Sequence, residues 1–252
     1  MNLTINLKKV IILPPVTNHN IIVTMRQFNI YSVCSYINKV VANAQDGMTT
    51  IFRGHSSASY ELMASVGRIK GYSLEKEENL FLEFKKLYRP YTRECPETDL
   101  ELLFMAQHYG VPTRLLDWTF NPLIALYFAT KDNRDDDGKI YSINLHESFT
   151  VEQMTDMSLS INGILRMEGC KYIVPHYTDN RYYNQKSIFL LTNKPQSKFT
   201  FADKETVYII KSEAKAQIRK ELALLGIDEG YIFPTLDNLS KSILRSCHVE
   251  MI

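Results

Sequence analysis

Two short runs concentrate the side chains able to do chemistry. Gln107 to Thr119 reads Gln-His-Tyr-Gly-Val-Pro-Thr-Arg-Leu-Leu-Asp-Trp-Thr and holds an imidazole, a carboxylate, two threonine hydroxyls and the chain's one tryptophan. Upstream, Phe52-Arg53-Gly54-His55 sets an arginine beside a glycine. A guanidinium fork suits phosphate or carboxylate, and a glycine lets backbone approach a ligand closely. Neither run decides the matter alone. Asp117 reads either as a catalytic acid or as a helix cap, and His108 either as a ligand contact or as a buried, hydrogen-bonded histidine. An arginine beside a glycine at a strand end is more often ordinary surface than a site.

Several familiar sites are missing. The ten glycines form neither G-x-G-x-x-G nor G-x-x-x-x-G-K-[ST], which argues against a Rossmann dinucleotide site and a P-loop. No G-x-S-x-G elbow and no H-E-x-x-H occurs. Asn133, Asp135, Asp137, Gly138 and Ile140 imitate an EF-hand loop, but Asn144 stands where a bidentate carboxylate belongs, so a solvated acidic turn is expected. Cys34, Cys95, Cys170 and Cys247 are too scattered for a metal cluster, and no metal is expected.

The elements that must position the two runs follow from periodicity and punctuation. A leader strand is expected at Ile21 to Thr24, then a helix carrying Val33, Ile37, Val40 and Val41 at helical spacing. Thr50 to Phe52 reads as a strand into Arg53-Gly54, and Leu74 to Tyr88 as an amphipathic helix. Thr98 and Glu101 form a capping box for a helix that Gly110 closes. Arg114 to Asp117 reads as a strand, and Asn121-Pro122 opens a helix to about Thr130. Further strands are predicted at Lys139 to Leu145, Tyr172 to Val174, Ser187 to Thr192 and Thr206 to Ile210. A helix over Ser212 to Leu225, with Ile218, Leu222 and Leu225 inward, stops at Gly226, and a last helix runs from about Leu236 to Arg245. Without repeats or a Pro/Gly/Ser linker, one mixed α+β domain is the simplest account.

Composition bounds the partners. The 252 residues carry 29 Lys+Arg and 28 Asp+Glu, a net charge of +1, which excludes bulk wrapping of nucleic acid. That total hides a split: Arg166 to Lys220 holds eleven basic and five acidic residues, enough for a few phosphate contacts. The apolar run Val10 to Leu13 is too short for a signal core or a membrane span, so a cytoplasmic protein without membrane partners is expected.

Together these motifs resemble the FRG domain, a family of bacteria and their mobile elements named for Phe-Arg-Gly. Phe52-Arg53-Gly54 supplies the name motif, and Leu62 to Arg68 follows with the family's arginine. Gln107 to Thr119, Asn121-Pro122 and Ala125 to Ala129 resemble its longest motif. Arg181, Gln185 and Phe189, then Gly226-Ile227 through Phe233-Pro234, resemble its later signatures. His55 stands where glutamine is usual, Ser187 where glycine is common, and Thr235 where aspartate usually follows Phe-Pro. The resemblance covers roughly Thr49 to Arg245, dividing the chain into a leader strand and helix at 1–46, packed on the core, and an FRG domain at 47–252.

The motif order in turn resembles ADP-ribosyltransferase folds, which implies a single α+β domain with a split mixed or antiparallel sheet and flanking helices. The implied activity is NAD-dependent ADP-ribosyl transfer, as a toxin of a toxin–antitoxin or phage-defence system. The acceptor would be a nucleic acid, RNA favoured, or a protein, with an antitoxin protein as a possible partner. Arg53 and Gly54 would hold NAD, Arg53 taking phosphates or the adenosine ribose. Tyr109 or Trp118 would stack on a ring, His108 would line the cofactor site, and Thr119 would brace Arg53 or the ribose. Gln185 occupies the order of a glutamate on a later strand; being neutral, it leaves Asp117, and at lower rank Glu229, as the active carboxylate. Arg181 would contact substrate. The alternative is a non-catalytic FRG-fold module that binds a nucleotide or a partner, which Gln185 in place of glutamate favours. A nuclease-like site on Asp117 and His108 is a third, weaker reading.

Overall fold

The structure is a computed structural model that describes residues 26–131, 135–145, 160–176, 180–199 and 205–247. The leader strand expected at Ile21 to Thr24 falls outside them. The first described strand is β1 (Arg26–Ile30), followed by α1 (Val33–Asn43), β2 (Thr49–His55), α2 (Leu74–Leu87) and α3 (Asp99–His108). Next come β3 (Leu115–Thr119), α4 (Pro122–Thr130), β4 (Gly138–Leu145), α5 (Ile161–Leu165) and β5 (Lys171–Ile173). The chain continues through α6 (Asn180–Gln185), β6 (Ser187–Leu191), β7 (Glu205–Ile210), α7 (Lys215–Leu224), α8 (Glu229–Ile232) and α9 (Leu236–Ser246).

The caps form as their sequences dictate. Thr98 Oγ1 accepts the Glu101 N–H at 3.1 Å while the Glu101 carboxylate reaches back to the Thr98 N–H, closing the capping box. Asn121 Oδ1 accepts the Leu123 N–H at 2.9 Å, with Pro122 in the first turn of α4. α3 ends in a Schellman turn: Gly110 sits at φ 87°, its N–H donates to the Gln107 carbonyl, and Val111 donates to Ala106. The same motif ends α7 at Gly226, with the Ile227 N–H on the Leu222 carbonyl at 2.8 Å. That turn corrects one expectation. Ile218 and Leu222 are fully buried, but Leu225 is 58% exposed, because Ile227 folds back into the core in its place.

The seven strands form one mixed sheet in the order β1-β7-β4-β2-β3-β6-β5, with β1 parallel to β7 and every other pair antiparallel. β1 is thus part of the same sheet as the rest. Between β2 and β3 the ladder is a single pair, Phe52 opposite Thr119. On one face α1, α4, α7 and α8 cover the half-sheet β1-β7-β4-β2, while α2, α3 and α5 cover β3-β6-β5. The other face runs continuously from Ile143 and Val207 through Ile51 and Trp118 to Tyr172, under Leu62 and Ala64. β6, buried on both faces, is accordingly an unbroken apolar run from Ile188. A buried ion pair ties the second half together: Arg114 donates from Nε and Nη2 to both Glu77 carboxylate oxygens, at 2.7 and 2.8 Å, and from Nη1 to the Leu165 carbonyl. Among the described residues no helix is long and apolar enough to cross a membrane.

Small residues set the distance between α4 and the sheet. A Cβ on Gly54 would stand 1.9 Å from the Ala125 carbonyl oxygen, and one on Gly138 would stand 2.3 Å from that of Ala129. Both obstacles are helix backbone, which cannot rotate away. Gly54→Ala is therefore expected to destabilise the fold by about 1–3 kcal/mol or more through overpacking, lowering the melting temperature by roughly 2–4 °C per kcal/mol. Thermal unfolding followed by circular dichroism checks this; an unchanged midpoint would show that α4 is free to retreat.

Candidate functional site

Where β2 and β3 part, the two groups of helices part with them, leaving a cleft of about 210 Å³ on the helical face. Its floor is Phe52, Arg53 and Gly54 on one side and Asp117 to Thr119 on the other. α4 presents Ala125 and Phe128, α3 presents Gln107 and His108, and α6 presents Arg181, Tyr182 and Gln185. A second cavity of about 200 Å³ adjoins it, sharing Arg53, Gly54 and Phe128 and adding His55, Glu61, Arg68 and Lys131.

Arg53 stands in the gap. Its Nη1 donates to the main-chain carbonyl of Asp117 and lies 3.5 Å from the Asp117 carboxylate. The guanidinium so takes a strand-edge carbonyl beyond the last ladder pair. Its Nε donates to His55 Nε2 at 3.0 Å, and 16% of the side chain is exposed. Burial lowers the Arg53 pKa, and the neighbouring Asp117 carboxylate works against that, so the group remains a cation. Asp117 projects into the cleft with 62% of its side chain exposed. Gln107 Nε2 donates to Asp117 Oδ1 at 2.6 Å, while Thr113 Oγ1 donates to Gln107 Oε1 and so fixes the amide's orientation. The cleft therefore presents an oriented carboxylate beside a partly buried cation.

The other expected residues divide. His108 and Arg181 line the cleft, the Arg181 Nη1 donating to the His108 carbonyl at 3.3 Å with its guanidinium over Phe233. Gln185 lies at the end of α6 rather than on a strand, and its amide donates to the Ile232 carbonyl at 3.0 Å. Thr119 does not brace Arg53. Its hydroxyl donates to the Gln185 carbonyl at 2.6 Å and ties α6 to β3. Trp118 is not a stacking platform: its ring is 2% exposed and packs on the opposite face, because alternation along β3 turns Asp117 toward the helices and Trp118 away. Tyr109 is 58% exposed at the end of α3 and does not line the cleft, its ring set against that of His108. Glu229 opens α8 near Lys241, 3.9 Å away, and also lies outside the cleft. The aromatic rings that do line it are Phe52, Phe128, Tyr182 and Phe189. Gln107 opens the polar run but gains a role of its own only in the structure, and Lys131 carries no sequence signal; for Gln107 the available signal is its place beside His108, one turn of helix before the Gly110 stop.

His55 is the second partner of Arg53. Its Nε2 accepts from Arg53, and its Nδ1 lies 3.4 Å from the Tyr60 carbonyl, which sets the tautomer with the proton on Nδ1. Burial, then the charge of Arg53, hold its pKa down to about 3. An unfolded histidine titrates near 6.5. Below that pH the unfolded chain takes up a proton that the folded chain refuses, so stability is full above about pH 6.5 and falls toward pH 3, by up to ~1.4 kcal/mol per pH unit. His55→Gln keeps an acceptor for Arg53 without the titration. Melting temperatures at pH 7 and pH 5 should therefore drop more for the wild type than for the variant; equal drops would remove His55 as the cause.

Compared with known protein families, residues 48–138 match the FRG domain. No curated protein and no solved structure matches the chain. The matched segment runs from β2 to the first residue of β4 and contains Arg53, Gly54, Gln107, His108, Asp117 and Phe128, whereas Arg181, Gln185 and Glu229 lie beyond it. The strands and helices that make the floor and two walls of the cleft thus lie within residues 48–138, the segment that matches the FRG domain family.

Proposed function

We propose that the cleft binds a dinucleotide of the NAD type and that the chain transfers ADP-ribose from it. The observation carrying this reading is the pair of adjoining cavities: about 210 Å³ holding Asp117 and about 200 Å³ lined by cations, with Arg53, Gly54 and Phe128 lining both. Ligand sites for molecules of this size commonly measure about 300–1,000 Å³, so each half accepts one portion of a dinucleotide and the two together accept the whole.

NAD supplies an activated ribose: its C1′–N bond breaks with the electron pair leaving on neutral nicotinamide, and the acceptor's oxygen or nitrogen takes C1′ and loses a proton. The charge developing on the ribose resembles that of glycoside cleavage, and a fixed anion stabilises it without reorganisation. Asp117 is the carboxylate in the cleft able to do this and to take the acceptor's proton, with Gln107 holding its orientation. Arg53 holds the Asp117 main chain, and Phe128 and Tyr182 offer apolar surface to a ring. The +6 segment from Arg166 to Lys220, which brings Arg181 to the cleft, favours RNA over protein as acceptor. A second reading, a binding module without turnover, is favoured by the Gln185 amide being committed to Ile232.

Incubation with adenine-labelled NAD and total RNA or protein separates the two. Label is expected in a macromolecule, with Asp117→Asn reducing transfer by about 100-fold or more; that side chain is exposed, so folding survives. Free nicotinamide without transferred label indicates hydrolysis at the same site. NAD-dependent thermal stabilisation without turnover would establish the binding module, and neither stabilisation nor turnover would sink the dinucleotide reading.

A further inference from the structure

The second cavity is the more unusual of the two in its charge. Arg53, Arg68 and Lys131 all line it, against one carboxylate, Glu61, which is already engaged by Lys198. Among the described residues neither the Arg68 guanidinium nor the Lys131 ammonium has a hydrogen bond or ion pair; Lys131 only rests over the Phe233 ring, 4.9 Å from its centroid. Arg53 spends Nε on His55 and Nη1 on Asp117, leaving Nη2 without a partner among the described residues. The Arg68 charge contributes to lowering both Arg53 and His55, so these cations face one another closely enough to repel. His55, neutral and accepting, adds no compensating anion.

Cations from three separate elements converge on one concavity whose carboxylates are already engaged, Asp117 with Arg53 and Glu61 with Lys198; the excess positive charge raises the energy of the unliganded fold and is relieved by an anion with several acceptor oxygens. Arg53 comes from β2, Arg68 from the turn at Val66–Arg68, and Lys131 from the end of α4. A single carboxylate serves one such fork; a diphosphate can serve all three. We infer that the cavity formed by Arg53, Arg68 and Lys131 is a diphosphate subsite, and that Arg68 and Lys131 are its specificity-determining residues. It rests on the dinucleotide reading only in naming ADP-ribose as the natural source of the diphosphate.

The test is titration calorimetry of the full chain with ADP-ribose, inorganic pyrophosphate and nicotinamide riboside, which lacks the diphosphate. Arg68 and Lys131 are both exposed, so Arg68→Gln and Lys131→Gln should fold normally. Each variant is expected to weaken ADP-ribose and pyrophosphate about tenfold, the double variant further, and to leave nicotinamide riboside unchanged; wild-type affinity for the two anions should fall as salt is raised. ADP-ribose bound equally by wild type and double variant overturns the subsite while leaving the dinucleotide reading intact. Unchanged ADP-ribose binding with lost binding of a single-stranded RNA oligonucleotide overturns it too and reassigns the cations to a phosphodiester backbone. Arg68-dependent pyrophosphate binding in a chain that binds no NAD upholds the subsite and removes the dinucleotide reading.

Discussion

The contact on which the rest of the site depends is backbone against backbone: the Ala125 carbonyl of α4 occupies the space a side chain would need at Gly54. Gly138 repeats the arrangement one strand over, against Ala129. Because glycine leaves the helix and strand backbones in direct contact, α4 lies close against β2 and β4. β3 is meanwhile anchored to the other half-sheet along its whole length by β6. With each strand committed to its own side, β2 and β3 touch once, at Phe52 and Thr119, and then separate. The cleft follows from two well-packed halves that share one seam.

Separating two strands exposes main-chain groups that must find partners. Here a side chain meets that requirement, since Arg53 closes on the Asp117 carbonyl, and this places a permanent cation within 3.5 Å of a carboxylate at the mouth of the cleft. The same guanidinium is oriented from behind by His55 Nε2, a lone-pair donor kept unprotonated by its burial. Structural repair and site electrostatics are therefore one arrangement. Gln107 and Thr113 extend it to the carboxylate, and Thr119 and Gln185 extend it to α6, which brings Arg181 to the far wall.

What the sequence made legible was local. The capping box at Thr98, the Asn121-Pro122 start of α4 and the glycine stops at Gly110 and Gly226 each involve neighbours within six residues, and each forms in the structure as read. The density of polar groups around Asp117 was legible for the same reason. The faces were harder. Trp118 and Asp117 are adjacent, and only the pleat of β3 decides that one enters the core and the other the cleft. Gln185 reads as a possible strand residue until Lys186, at φ 47°, turns the chain between α6 and β6. The meeting of Arg68 with Lys131 and Arg53 was invisible, since no pattern links a turn, a helix end and a strand that come together only when the sheet closes.

The parallel pairing of β1 with β7 sets the order in which this chain can mature. Arg26 lies opposite Thr206, and β7 also fills the place between β1 and β4. At synthesis rates of about 5–20 residues per second, roughly 10–40 s pass between the two strands. Throughout that interval β1 lacks its β7 partner, and once made β4 presents an open edge until β7 arrives. The family segment, with Arg53 and Asp117 already made, waits on strand residues near the other end of the chain for its sheet to be completed. Contacts this distant in sequence slow folding, so the half-sheet that carries Arg53 is completed late, as a property of the finished molecule.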